Sequence, residues 1–157
     1  MRELAFLSLD APSADALARS PMERRLREAG ADFEVRDGWL VAVRVPGEDR
    51  HSPAVRDVTH VLSRHDLGTV PGTVPPAAGL AALDVEGAGA TTLLRRLTEL
   101  DLETLPAVGA LAHVRVWVLR RGEESYRLIF EQEYGHYLWE VVVDAAEPLG
   151  GGPVGTP

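Results

Sequence analysis

Three residue types are missing altogether, and two of the gaps exclude a chemistry. The 157-residue chain has no cysteine, which removes disulfides, thiolate catalysis, Fe–S ligation and thiolate zinc sites together. It has no lysine either, so all 16 basic residues are arginine. That excludes a P-loop lysine, a lysine Schiff base and a lysine general base. Because asparagine is absent too, the arginine bias reads first as biased coding rather than as a demand for guanidinium groups. Aromatic residues make up only 6% of the chain, so a place where they gather is informative. No apolar run approaches the roughly 20 residues that cross a bilayer. Met1-Arg2-Glu3-Leu4 opens no secretory apolar region followed by a small-residue cleavage site, and a cytoplasmic protein is the expectation.

What is present fits one soluble domain: 45% hydrophobic and 25% charged residues, at a length close to a single core's worth. With 16 basic against 24 acidic residues the formal charge is -8, which argues against nucleic-acid backbones or anionic membranes as partners.

Residues 1–19 read as an N-terminal extension, and a domain is expected over 20–148. Ser20-Pro21-Met22-Glu23 is a helix start, with a capping serine, proline at the first helical position and glutamate three residues on. The helix should run from Pro21 to Ala29 and stop at Gly30. Phe33, Val35, Trp39, Val41 and Val43 alternate around Asp37-Gly38, which predicts a β-hairpin. Val55 to Leu62 reads as a buried strand, and Gly68 to Gly79 as a proline-rich loop. Leu80 to Glu86 is a further strand, and Ala90 to Leu100 a helix with Leu93, Leu94, Leu97 and Leu100 on one stripe. A loop through Pro106 and Gly109 precedes a second hairpin, Val114 to Leu119 and Tyr126 to Phe130, turning at Arg121-Gly122-Glu123-Glu124. A last helix is expected from Glu133 to Glu147, and residues 149–157 as a disordered Gly/Pro tail. The fold class is therefore α+β: a mainly antiparallel sheet with helices on one face and a β-α-β-β-α second half.

Chemistry is less legible. His60 and His65 beside Asp57 or Asp66 have neither helical nor strand spacing for a shared metal; they read as a strand-end polar cluster, and no metal is expected. No serine occupies a nucleophile elbow. Gly87-Ala88-Gly89 before a helix lacks the third glycine of a dinucleotide fingerprint and reads as a tight turn. Trp117, Tyr126, Tyr134, His136, Tyr137 and Trp139 concentrate most aromatics in one hairpin and helix. Core packing explains the tryptophans, while a pterin-like heterocycle or a partner surface would use the same residues.

The order of segments resembles a known family. Ser20-Pro21-Met22 through Gly30-Ala31-Asp32-Phe33, then Asp37-Gly38-Trp39 and Val55-Arg56-Asp57-Val58-Thr59-His60, is similar to the opening of the glycine-cleavage aminomethyltransferases. Asp84-Val85-Glu86-Gly87, Leu93 to Leu97 and Tyr126 to Trp139 resemble the strand, helix, hairpin and helix that follow in the same folate-binding domain. Tyr134-Gly135-His136-Tyr137-Leu138-Trp139-Glu140 looks most like the gamma-subunit branch of heterotetrameric sarcosine oxidase. The resemblance implies tetrahydrofolate as cofactor and one-carbon or N-methyl amine chemistry. It also implies a folate-facing or partner-facing surface, for which His60, His113, Tyr126, Glu131 and Tyr137 are the candidates.

Two departures matter. The family's enzymes carry a glycine-rich Asp-Asp stretch in the second hairpin, where this chain has only Arg120 to Glu124, so no catalytic residue is assigned. Their folate site also lies inside a ring of three domains, and a pterin needs concave surface from several elements. The first expectation is thus an accessory subunit beside a larger homologous or flavin-containing chain. The alternatives are a small transferase completed by a homo-oligomer, with Glu123, Glu124 or Glu131 as its acid, and a pterin-binding module without chemistry.

Overall fold

The computed structural model describes residues 17–62, 64–72 and 79–157. Of the expected N-terminal extension, only 17–19 fall within the described residues. The elements are β1 Ala18–Arg19, α1 Glu23–Glu28, β2 Asp32–Arg36, β3 Trp39–Arg44, β4 Ala54–Asp57, α2 Arg64–Thr69, β5 Leu80–Glu86 and α3 Ala90–Leu97. They continue with β6 Ala107–Leu111, β7 Val114–Gly122, β8 Ser125–Glu131, α4 Gly135–Ala146 and β9 Gly152–Val154. The strands form a three-stranded sheet, β1-β3-β2, and a six-stranded sheet, β6-β7-β8-β5-β4-β9. Two pairings are parallel, β1 with β3 and β4 with β9; the rest are antiparallel. The α+β class holds.

Local chemistry explains most of the boundaries. Ser20 Oγ accepts a hydrogen bond from Met22 N at 3.2 Å, and Ala31 N closes α1 on Leu26 O after Gly30 turns with φ 81°. The first hairpin turns at Asp37 (φ 49°) and Gly38 (φ 79°), the two left-handed residues of a type I′ turn. β4 is shorter than expected because the Asp57 carboxylate captures Thr59 N at 3.1 Å and Thr59 Oγ1 at 2.8 Å. That side-chain turn competes with the ladder, and Thr59–Val61 becomes a 3-10 turn. The expected loop over 68–79 begins inside α2, and 73–78 lie outside the described residues.

Two expectations are corrected. The second half is β-α-β-β-β-α, because Ala107–Leu111 form a strand on β7. Pro106 and Gly109 read as loop signals, yet a Cβ at 109 would lie 2.6 Å from Leu100 Cδ2; this glycine marks close packing. The closing residues are no disordered tail either. β9 lies along β4, Thr156 N bonds Ala42 O in the other sheet at 2.8 Å, and Val154 and Gly155 are buried. A Cβ at Gly155 would sit 2.2 Å from the Val43 carbonyl carbon. Glycine is required there because two backbones meet.

β5 runs through the middle, buried from Leu80 to Val85, and alternation sends its residues to two cores. On one face Ala81, Leu83 and Val85 join Val116, Val118, Leu128 and Phe130 beneath Leu93 and Leu94 of α3 and Leu138, Trp139 and Val142 of α4. On the other, Leu80 and Ala82 join Trp117, Leu119 and Ile129 beneath Val58, Leu67 and Val70.

Candidate functional site

Strand register brings four of the five candidate residues to one rim of the large sheet. Leu80 stands opposite Glu131, Asp57 opposite Leu83, and Trp117 opposite Ile129. The end of β4, the start of β5, the end of β8 and the start of β7 therefore lie side by side. His60 follows β4 in the 3-10 turn, Glu131 closes β8, and His113 sits in the turn between β6 and β7. Tyr137, early in α4, donates its hydroxyl to Ala112 O of that turn at 3.0 Å. β7 and β4 are three strand spacings apart, on the order of 15 Å, so the rim is a wall and not a pocket.

Tyr126 is elsewhere. Its ring is 0% exposed in the helix-side core, with its hydroxyl 2.7 Å from Thr91 Oγ1 and 3.3 Å from Arg120 Nη2. The Arg120 guanidinium lies over the ring. It faces neither a folate surface nor a partner surface, which corrects the expectation. Its place in an apolar alternation was the available signal.

At the His113 end the rim opens into a cleft of about 900 Å³, lined among others by Arg95, Arg96, Thr98, Glu99, His113 and Tyr137. Tyr137 is 45% exposed and its hydroxyl is fixed, so the ring is a held wall of the cleft. His113 occupies a left-handed position (φ 69°) next to Ala112 (φ 48°), where glycine or asparagine is the usual choice. Sequence reasoning named His113 and Tyr137 but not the arginines, whose placement depends on where α3 ends.

At the other end of the rim burial shifts two groups toward their neutral forms. Burial pushes the Asp57 carboxyl up, against the lowering effect of hydrogen bonds from Ser20 and Thr59. Burial pushes His60 down against the raising effect of the neighbouring Asp57, with the positive charges of Arg36 and Arg127 acting in the same direction as burial. A neutral histidine at pH 7 donates at one ring nitrogen and accepts at the other. Among the described residues no three His, Asp or Glu side chains gather as a metal would need.

The structure also sorts the three acids. Glu123 and Glu124 form the β7–β8 turn, at the opposite end of β8 from Glu131, so about 20 Å of strand separates them from the rim. Glu124 is engaged besides: its carboxylate accepts Thr91 N at 2.8 Å, and its carbonyl accepts Gly87 N at 2.8 Å. This carboxylate satisfies one of the free amides at the start of α3 and sets a negative charge beside that helix end. Glu131 alone of the three stands on the rim, partly exposed.

No helix among the described residues is long and apolar enough to cross a membrane. No protein-family model matches the chain, and no curated protein matches it. Among solved structures it is similar to a chain of the heterotetrameric sarcosine oxidase from Corynebacterium sp. U-96 in complex with pyrrole 2-carboxylate. That similarity has 17% identity and a TM-score of 0.46, and covers 86% of this chain and 77% of that one. It is also similar to glycine cleavage system aminomethyltransferase T from Bartonella henselae, at 17% identity and a TM-score of 0.38, over 83% of this chain and 36% of the other. The chain thus spans little more than a third of that transferase. Similarity at this level says nothing of activity, ligand or partner.

Proposed function

We propose that the chain is an accessory subunit of a multi-chain, folate-linked enzyme of one-carbon or N-methyl amine metabolism, working in the cytoplasm. Its partner in this reading is a larger homologous or flavin-containing chain, or a second copy, that closes over the rim. The observation that carries it is the rim itself: His60, Glu131, His113 and Tyr137 lie along one edge of a sheet as a wall on the order of 15 Å long, with an open cleft at its His113 end. A ligand the size of a pterin must be buried on most sides to be held. One wall supplies contacts but no enclosure.

In the assembled enzyme the neutral His60 and the Glu131 carboxylate would offer complementary hydrogen bonds to an amide-like heterocycle edge. Tyr137 and His113 would offer ring faces and a polar lip. No acid is assigned a proton-transfer role, because the turn that carries it in the resembling family here caps α3.

Equilibrium dialysis with tetrahydrofolate tests the reading. The purified chain alone should retain none and release no methylene-tetrahydrofolate from an aminomethyl donor. Co-expressed with an oxidase or transferase chain encoded beside it, it should co-purify, and the complex should bind the cofactor, more weakly with Glu131→Gln. Turnover by the isolated chain would sink the subunit reading and favour the self-completed transferase. Tight binding without turnover, indifferent to Glu131→Gln, would favour a pterin-binding module.

A further inference from the structure

The sheet face turned away from α3 and α4 is closed by α2, and the way α2 is held is unusual. Arg127 of β8, 5% exposed, faces Asp84 of β5 across the ladder. It donates from Nε to Asp84 Oδ1 at 2.7 Å and from Nη2 to Asp84 Oδ2 at 2.9 Å. Its remaining nitrogen, Nη1, donates to Asp66 Oδ2 of α2 at 3.1 Å. Asp66 also receives Arg121 Nη1 at 3.2 Å. Beyond these charges, α2 and the residues after it touch the sheet through Leu67 and Val70 and through the Trp117 indole, which donates to Pro71 O at 3.2 Å.

The two carboxylates are not equivalent. Asp84 forms a forked pair within the sheet and neutralises Arg127 unaided. Asp66 adds a third bond from outside the sheet. When Asp66 leaves, no bare charge remains buried, because Arg127 keeps Asp84. A six-residue helix has little stability of its own, so this one depends on its contacts with the sheet, among them that pin, two apolar side chains and the Trp117 bond. A cavity of about 260 Å³ lies beside it, between Asp66, Thr69, Pro106 and Arg121, so one flank of the segment is unpacked.

We infer that residues 64–72 form a strap, pinned by Asp66 on the Arg127–Asp84 pair, that lifts from the sheet as a unit while the sheet stays folded. Lifting it uncovers Trp117, Leu119 and Ile129 together with the Arg121 and Arg127 guanidinium groups. That surface is apolar with a cationic corner, and Asp66 is its built-in carboxylate occupant.

Hydrogen exchange on the intact chain tests this, because the Trp117 indole N–H reports strap closure through Pro71 O. It is assigned by its loss in Trp117→Phe. In the wild type it should exchange about 100-fold or more faster than the amides of Leu83 and Leu128, which need the sheet to open. Asp66→Asn should speed indole exchange roughly tenfold or more and leave those two amides unchanged. Arg121→Gln, which removes only the more exposed arm, should speed it by a smaller factor. Exchange of the indole in step with Leu83 and Leu128 would overturn the strap. So would an indole rate indifferent to Asp66→Asn and Arg121→Gln, or an Asp66→Asn chain that no longer folds, since the sheet would then depend on the pin.

Discussion

The two faces of the β5–β8 pair solve the same burial problem by different physics. Toward α3 and α4 the strands present Leu83, Val85, Leu128 and Phe130, and closure there comes from matching volumes. On the opposite face the same two strands present Asp84 and Arg127 among Ala82, Trp117 and Ile129, and closure there depends on charge pairing. An apolar face degrades gradually, since a smaller side chain loses contacts in proportion to the void it leaves. A buried ion pair fails abruptly, since removing one member strands the other in low dielectric. The difference teaches that one sheet can have a tolerant side and an unforgiving side.

Asp84→Ala is the hardest test of that contrast. It takes both forked bonds from Arg127 and leaves only Asp66, so a loss of about 3–5 kcal/mol is expected, read as a fall in the urea midpoint. A loss under about 1 kcal/mol would place the charge pair on a par with surface pairs and erase the difference between the faces. On the apolar side, Leu128→Ala should cost about 2–5 kcal/mol while Leu128→Met costs under about 1.5. Graded response to volume is the signature sought; equal damage from the two would break the comparison from the other side.

Tyr126→Phe sharpens it further, because Tyr126 places a polar atom on the apolar face. Its hydroxyl has Thr91 and Arg120 as partners, and Arg120 keeps a bond to Leu102 O without it. Thermal unfolding should therefore show a loss of about 1 kcal/mol. In the proposed assembly the variant should leave tetrahydrofolate binding unaltered, because Tyr126 lies at the far end of β8 from the rim.

Which face was which could not be read from the sequence. Alternation in Leu80–Glu86 and Tyr126–Phe130 identified strands, but nothing local marks Asp84 and Arg127 as interior. Only their pairing, 43 residues apart, makes them interior. The two hairpins and the positions of α3 and α4 were legible because local spacing specifies them. β6 and β9 were not, because Gly109 and Gly151-Gly152 carry turn signals whose real cause is a backbone or side chain pressed against them. Of the candidate site, His60, His113, Glu131 and Tyr137 share a rim, and that rim exists only once β4, β5, β7 and β8 are in register.

The edge of the sheet behaves unlike either face, and pH can separate it from both. Glu48 holds the closing residues by accepting Gly155 N at 2.8 Å and Val45 N at 2.9 Å. Those amides, Gly155 first, keep its carboxyl below the ordinary glutamate range. An acid whose folded form titrates lower than its unfolded form adds stability above the unfolded value and loses it as pH falls through the folded one. On acidification the Gly155 and Thr156 amide resonances should move together, with a midpoint below that of an exposed glutamate, while those of Leu83 and Leu128 stay put. Glu48→Gln should abolish the transition, since an amide oxygen accepts the same two bonds at every pH. A titration of Leu83 in step with Gly155 would mean that the closing strand and the central sheet melt as one body, and the edge would have no independence to explain.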